Sequence, residues 1–125
     1  MTEKLLLIPA SGRVAFEHLK RTIEKKWSFN ELVKLNANID PAVVRKLSTV
    51  NNFGIWGLIP GKNNRKIWDK LEEGDLVLIY SRAKIVYTGK VFTKTRNKSL
   101  AKELWGVDKY GRTWELIYFI KDLKE

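Results

Sequence analysis

Aromatic and basic residues alternate through the second half of the chain, in a pattern that suits nucleic-acid binding. Trp56 lies beside Gly57, Trp105 beside Gly106, and Tyr110 beside Gly111. Aromatic side chains at glycine-flanked loop edges are poor core candidates because loops run over the surface, so they are candidate walls of a pocket. An aromatic ring stacks on a nucleobase with about 1–3 kcal/mol, and a cage of rings also suits a methylated amine. The alternative, that Trp105 and Tyr110 only close the open end of a barrel, stays open.

Basic side chains surround these aromatics. The chain has 24 Lys and Arg against 14 Asp and Glu, a net charge of +10, which attracts polyanions. A nucleic acid, an anionic membrane surface or an acidic protein would each fit this charge, as would the lysine-rich surface of a heat-adapted protein. Heat adaptation usually enriches glutamate as well, so we favour a polyanionic partner. The candidate backbone-binding residues are Lys62, Arg65, Lys66, Arg82, Lys84, Arg96, Lys98, Lys109 and Arg112.

Residue patterns that indicate catalysis are missing from the sequence. The single histidine, His18, has no partner motif, and the segment from Pro60 to Asn64 contains one glycine without a phosphate-loop signature. No histidine or acidic cluster has metal-ligand spacing. The sequence therefore predicts a binding domain without catalytic residues, metal or cofactor. The absence of cysteine suits the cytoplasm.

Length and composition bound the architecture. A chain of 125 residues with 44% hydrophobic residues fits one domain, 1–125, with a single core. No apolar run approaches the roughly 20 residues of a membrane helix, so we expect no membrane span. The charged residues Lys121–Glu125 indicate a connection to a further domain, which would make this chain the N-terminal part of a longer protein.

Hydrophobic periodicity and turn residues predict an α/β domain. We expect five or six strands in a mixed, curved sheet or small barrel, with helices clustered in the first half. Strands are predicted over 4–8, 53–58, 76–80 (the central strand), 85–94 (with a bulge at Gly89) and 113–120, and helices over 12–26, 28–35, 41–47, 63–71 and 99–104. Ser11, Ser28 and Asp40 are the predicted helix caps. Phe16, Leu19 and Ile23 should share the buried face of the first helix, and Trp27 and Trp68 should lie in the core.

The order of these motifs over residues 53–120 resembles the YTH domain, a relative of EVE domains in the PUA-like superfamily. The matching segments are Gly54-Ile55-Trp56-Gly57, the basic Gly61–Arg65, Ile79-Tyr80-Ser81, the strand with Gly89, and Trp105–Arg112. The resemblance implies a PUA-like fold and a cage for N6-methyladenine formed by Trp56, Trp105 and Tyr110, with tyrosine in place of the family's third tryptophan. It also makes Ser11 and Asn63 candidates to hydrogen-bond the base.

The helical segment between Ser11 and Asn51 is longer than in eukaryotic YTH domains. With the lysine-rich, cysteine-free composition, it resembles the N-terminal recognition domains of archaeal McrB-like proteins, the motor subunits of modification-dependent restriction systems. That resemblance implies modified DNA as the partner, read by base flipping, with motor domains elsewhere in the same chain. A PUA-like domain that binds RNA and a basic module that docks on a protein or membrane remain alternatives, because contacts to a 2′-hydroxyl leave no mark on the sequence.

Overall fold

Five strands form one curled, mixed sheet with helices on both faces, as a mixed α/β prediction requires. The computed structural model describes residues 4–10, 12–35, 37–81 and 84–125. The strands are β1 (Leu5–Pro9), β2 (Gly54–Leu58), β3 (Leu76–Ser81), β4 (Lys84–Arg96) and β5 (Leu116–Lys124). The helices are α1 (Arg13–Leu19), α2 (Phe29–Val33), α3 (Pro41–Leu47), α4 (Lys62–Lys70) and α5 (Lys98–Trp105), and a π-helical segment, Lys20–Glu24, continues α1.

The strand order is β1–β3–β4–β5–β2, and β1 is parallel to β3 while the other neighbours are antiparallel. The prediction that residues 76–80 form the central strand is therefore wrong, because β4 lies in the middle. β4 has 13 residues and is long enough to pair with β3 through its first half and with β5 through its second. β2, which carries Trp56, is an edge strand.

The core has two layers, one on each face of the sheet. Along β5, Ile117 and Phe119 pack into one layer, and Tyr118 and Ile120 pack into the other. Leu19 of α1 and Ile23 of the π-helical segment cover the face of the sheet that carries Tyr118. Helices α2, α3 and α5 cover the face that carries Phe119. A strand buried on both faces has a continuous apolar sequence because alternate side chains point to opposite sides.

Local capping chemistry sets several helix starts as predicted. Ser28 and Glu31 form the predicted capping box at α2, and the Asp40 side chain accepts a hydrogen bond from the backbone N–H of Ala42 at α3. Asn97 caps α5 in the same way. The predicted cap Ser11 lies outside the described residues; Gly12, which precedes α1, makes no side-chain cap.

The predicted helix over 12–26 is interrupted where α1 passes into the π-helical segment. The N–H of Lys25 donates to the carbonyl of Lys20, one residue further back than in an α-helix. Phe16 is 41% exposed, so its predicted burial is wrong, whereas Leu19 and Ile23 are buried as expected. π-helical turns are rare and are frequently found at functional sites.

Three other positions differ from or refine the sequence-based expectation. Trp105 is the last residue of α5 and not part of the predicted loop. Its ring is buried in the core layer below that helix. β5 begins at Leu116 and continues to Lys124, so the charged C-terminal residues pair with β4. The bulge at Gly89 is confirmed by a shift in the β4–β5 register between Thr88 and Lys90.

Trp27 and Trp68 are half-buried and pack against the core layers, so their predicted position in the core is confirmed only in part. Each indole N–H reaches a backbone carbonyl, Arg21 for Trp27 and Ile117 for Trp68, which holds the rings at the edge of the core. Trp27 lies outside any helix and forms an isolated bridge with Phe53. In the described part of the chain, no helix has the length and apolar character needed to cross a bilayer.

Candidate functional site

A cavity of about 540 Å³ opens beside the edge strand β2. It lies where β1 and β2 end and α1 and α4 begin, and most of its wall is apolar. Its lining residues are Pro9, Gly12, Arg13, Val14, Ala15, His18, Trp56, Gly57, Leu58, Ile59, Asn64 and Trp114. A concave, largely apolar site of this volume with a few polar groups is typical of pockets that bind small organic groups.

Three tryptophans from three parts of the chain converge on His18. The His18 ring lies 4.3 Å from the ring of Trp114 and 6.3 Å from that of Trp56, both edge-on, and it stacks on Trp105 at 5.4 Å, measured between centroids. Trp56 and Trp114 line the cavity, whereas Trp105 supports His18 from behind without lining it. His18 is only 8% exposed.

Gly57 allows β2 to approach this aromatic cluster closely. A Cβ atom at this position would overlap the backbone oxygen of Trp114 and would lie 2.6 Å from Cζ3 of Trp105. It would also lie 2.9 Å from Cβ of Trp114. Separations below 3 Å are sterically forbidden for carbon atoms that do not share a bond, so only glycine fits here without displacement of the rings.

Burial lowers the pKa of His18 from 6.5 to about 4, and the positive charge of Arg21 adds to the shift while Glu17 opposes it. The imidazole is therefore neutral near pH 7 and carries one hydrogen-bond donor and one acceptor. Within the described residues, neither ring nitrogen makes a hydrogen bond to the protein. The indole N–H of Trp105 is likewise buried without a partner in the same part of the chain.

The low pKa of His18 predicts a loss of stability in mild acid. As the pH falls, the unfolded chain takes up the proton near pH 6.5 and the folded chain only near pH 4, so the stabilisation is full above pH 6.5 and is lost between the two values. We expect the free energy of unfolding to fall by about 2 kcal/mol between pH 7 and pH 5, measured by urea denaturation. His18→Phe removes the only histidine and should remove this step. An equal fall in the variant would contradict the assignment.

Asn64 is the second side chain with free polar atoms in the cavity wall. It lies in the first turns of α4, and its amide nitrogen donates to the carbonyl of Ile59 at 2.9 Å. A carbonyl oxygen can only accept, so the amide orientation is fixed and Oδ1 of Asn64 remains as an acceptor. The neighbouring candidate Asn63 is exposed and does not line the cavity.

The predicted cage residues are brought together only in part. Trp56 and Trp105 both contact His18, but Tyr110 is 70% exposed and lies on a turn after α5. Asp108 holds that turn by accepting from the N–H groups of Tyr110 and Arg112. The Tyr110 ring contacts the cations of Lys109 and Arg112, and it does not line the cavity.

Trp114 is a residue of the cavity that the sequence pattern does not indicate. The predicted final strand contains it, and alternation would direct it to a sheet face, but it precedes β5 and lines the cavity. His18 was missed because a lone histidine on a helix is usually a surface or core-edge residue. One signal that could have found Trp114 is that it shares a glycine-rich stretch with Trp105 and Tyr110.

The predicted backbone-binding cations differ in how much of their charge is already paired. Arg96 is paired with Glu115 at 2.8 Å and Arg112 with Asp108 at 2.9 Å, so part of their charge is neutralised within the fold. Arg82 lies outside the described residues. The other six are exposed: Lys62, Arg65, Lys66, Lys84, Lys98 and Lys109. Of these, Lys62, Arg65 and Lys66 flank Asn64 on α4, beside the cavity.

A second cavity of about 640 Å³ is less suited to a polyanion. Phe16, Leu19 and Tyr87 line it, together with the acidic residues Glu24 and Glu125 and with Lys84. Two carboxylates would repel a phosphate backbone. The cavity beside β2, with its aromatic wall and basic neighbouring helix, is therefore the better candidate for a site.

Comparison with known proteins does not assign the domain to a family. No protein family, no curated protein and no solved structure matches the chain significantly, so its function has to be inferred from the cavity, the tryptophans and the charge.

Proposed function

We propose that the domain binds nucleic acid, DNA in preference to RNA, and accepts a flipped modified base, preferably N6-methyladenine, in the cavity beside β2. The observation that carries the proposal is a cavity walled by Trp56 and Trp114 at the edge of a domain with a net charge of +10. The proposal includes a PUA-like fold related to YTH and EVE domains, and a role as the recognition module of a McrB-like restriction system, whose motor domains would follow in the same chain.

The energetics favour a modified base over a plain one. Extruding a base from a duplex costs a few kcal/mol, and stacking on an aromatic side chain returns about 1–3 kcal/mol. The two terms nearly cancel for a plain base. A methyl group buried against apolar walls adds about 0.8 kcal/mol and displaces no hydrogen bond when the amine keeps one N–H. The methyl group therefore raises the population of the flipped state about fourfold.

The exposed cations of α4 supply the sequence-independent part of the affinity in this proposal. Lys62, Arg65 and Lys66 lie within the helix whose first turns carry the cavity residue Asn64. Phosphates next to a flipped base pass within reach of such a helix, and each phosphate that a cation neutralises releases counterions. The same three cations would hold the backbone while the base enters.

Binding to duplex DNA should therefore weaken steeply with salt. We expect methylated and plain duplexes to bind at low salt, with a slope of log affinity against log salt of about −0.9 for each phosphate that is neutralised. The triple variant Lys62→Ala, Arg65→Ala and Lys66→Ala should make the slope less steep, by about one unit for each phosphate that is no longer neutralised. Fluorescence anisotropy with labelled duplexes measures both the affinity and the slope.

Arg45→Ala is the matched control, because Arg45 belongs to α3 on the other face of the sheet and should leave the slope unchanged. Absence of binding at low salt, or binding insensitive to salt, would reject a nucleic-acid partner in favour of a docking module. Tighter binding to single-stranded RNA than to any duplex would favour the RNA-binding alternative.

A further inference from the structure

Among the described residues that line the cavity beside β2, two side chains can accept a hydrogen bond from a ligand. These are Asn64 and His18; Arg13, which is 91% exposed and lies 3.6 Å from Glu17, and the indoles of Trp56 and Trp114 carry donors only. A ligand enclosed here loses its water, so an N–H on its polar edge must be matched by one of these two acceptors. Their chemistry therefore restricts the ligand more than the ring stacking does.

Asn64 offers the ligand a hydrogen-bond acceptor that is held in one orientation. Its amide nitrogen donates one hydrogen to the carbonyl of Ile59, so Oδ1 and the second N–H remain for the ligand. An acceptor held in one orientation favours a ligand with an N–H group and leaves a ligand without one unmatched.

His18 can exchange a hydrogen bond with a ring nitrogen of the ligand. The charges that act on it are Arg21 and Glu17, both on its own helical stretch, and the other described elements packed against it present the rings of Trp56, Trp105 and Trp114. The stack on Trp105 and the edge contact with Trp114 fix the plane of the imidazole. Its ring nitrogens are therefore presented in a defined direction.

We propose that Asn64 and His18 together read the hydrogen-bonding edge of the flipped base, Asn64 accepting from an exocyclic N–H and His18 pairing with a ring nitrogen. This inference rests on the proposed function and adds a ligand class to it. The selected bases are monomethylated amino bases such as N6-methyladenine and N4-methylcytosine, which keep one exocyclic N–H. Dimethylated amino bases are rejected although they are more apolar, because Oδ1 of Asn64 would be buried without a partner.

The test compares duplexes that differ only in one adenine, which is plain, N6-methylated or N6,N6-dimethylated. The intact 125-residue chain is titrated with each duplex, and binding is followed by anisotropy. We expect the monomethylated duplex to bind best and the dimethylated duplex to bind about tenfold or more weakly, the usual consequence of a buried acceptor left unpaired. An apolar cage without edge readers would bind the dimethylated base equally or more tightly.

Two variants assign the discrimination to residues. Asn64→Leu should bring the two methylated duplexes to within about twofold of each other, and Asn63→Leu, the exposed neighbour outside the cavity, should leave the discrimination at its wild-type value. His18→Phe keeps an aromatic ring between the tryptophans and removes the ring nitrogens. It should weaken binding of the monomethylated duplex while its salt slope stays unchanged.

The outcomes separate this inference from the proposed function. Equal binding of monomethylated and dimethylated duplexes by the wild-type chain, both tighter than plain DNA, overturns the edge reading and keeps the modified-base site. Equal binding of all three duplexes overturns both. The wild-type comparison requires no variant, so it stays decisive even if Asn64→Leu fails to fold.

Discussion

Trp114→Ala is expected to abolish the preference for methylated over plain DNA while the salt-dependent affinity for both stays close to the wild-type value. Trp114 lines the cavity and contacts His18 at 4.3 Å, yet it is only half-buried, so its loss removes a wall of the site without opening a large core cavity. Removing one stacking ring costs about 1–3 kcal/mol of base binding, which exceeds the advantage of about 0.8 kcal/mol that the methyl group provides. Competition titrations with methylated and plain duplexes measure the ratio.

Trp27→Ala is the matched control, because Trp27 is also a half-buried tryptophan but lies outside the cavity. It should lower stability and leave the methyl preference intact. Trp56→Ala and Trp105→Ala should also remove the preference, but these rings are 6% and 7% exposed, so each variant also loses about 3–5 kcal/mol of stability. Tyr110→Ala should have a milder effect. If Trp114→Ala weakens methylated and plain DNA by the same factor, the cavity is not the base site.

Gly57→Ala is expected to have the largest effect on stability of any glycine-to-alanine change near the site. The new methyl group would meet the backbone oxygen of Trp114 and the ring of Trp105, which is itself packed in the core. Overpacking of this kind costs about 1–3 kcal/mol, and the displaced rings would also disturb His18. We therefore expect a lower free energy of unfolding in urea together with a reduced methyl preference.

Gly61→Ala provides the comparison at the start of the neighbouring helix. A Cβ at Gly61 meets no atom within 4 Å, and its φ of −171° is open to any residue. This variant should change stability by less than about 1 kcal/mol, the usual cost of alanine at a helix N-cap. Equal unfolding free energies for the two variants would show that β2 and the tryptophans can separate without cost, contrary to the close approach at Gly57.

Elements fixed by local chemistry were predictable from the sequence. The capping box at Ser28, the Asp40-Pro41 helix start and the bulge at Gly89 each depend on residues within a few positions of one another, and all three occur. Trp56 lines the cavity, and its local signal in the sequence is the glycine that follows it directly.

Features that depend on distant contacts were not predictable. The π-helical segment follows α1 where Thr22 donates its hydroxyl hydrogen to the carbonyl of Ile55, a contact that no local pattern contains. His18 is buried because tryptophans from β2, α5 and the segment before β5 surround it. The role of Trp114 depends on where β5 begins, and strand boundaries leave a weak signal in sequence.

The placement of β5 between two core layers has a consequence for how the cavity communicates with the rest of the domain. Ile117 and Tyr118 lie in different layers of the same strand, and His18 contacts both Trp56 of one layer and Trp105 of the other. Neither layer can melt while the other stays native, since the shared strand would lose half of its packing. A ligand that stabilises the aromatic cluster must therefore raise the thermal midpoint of the whole domain in a single transition. Once the site is saturated, the stabilisation of the domain grows with the logarithm of the ligand concentration.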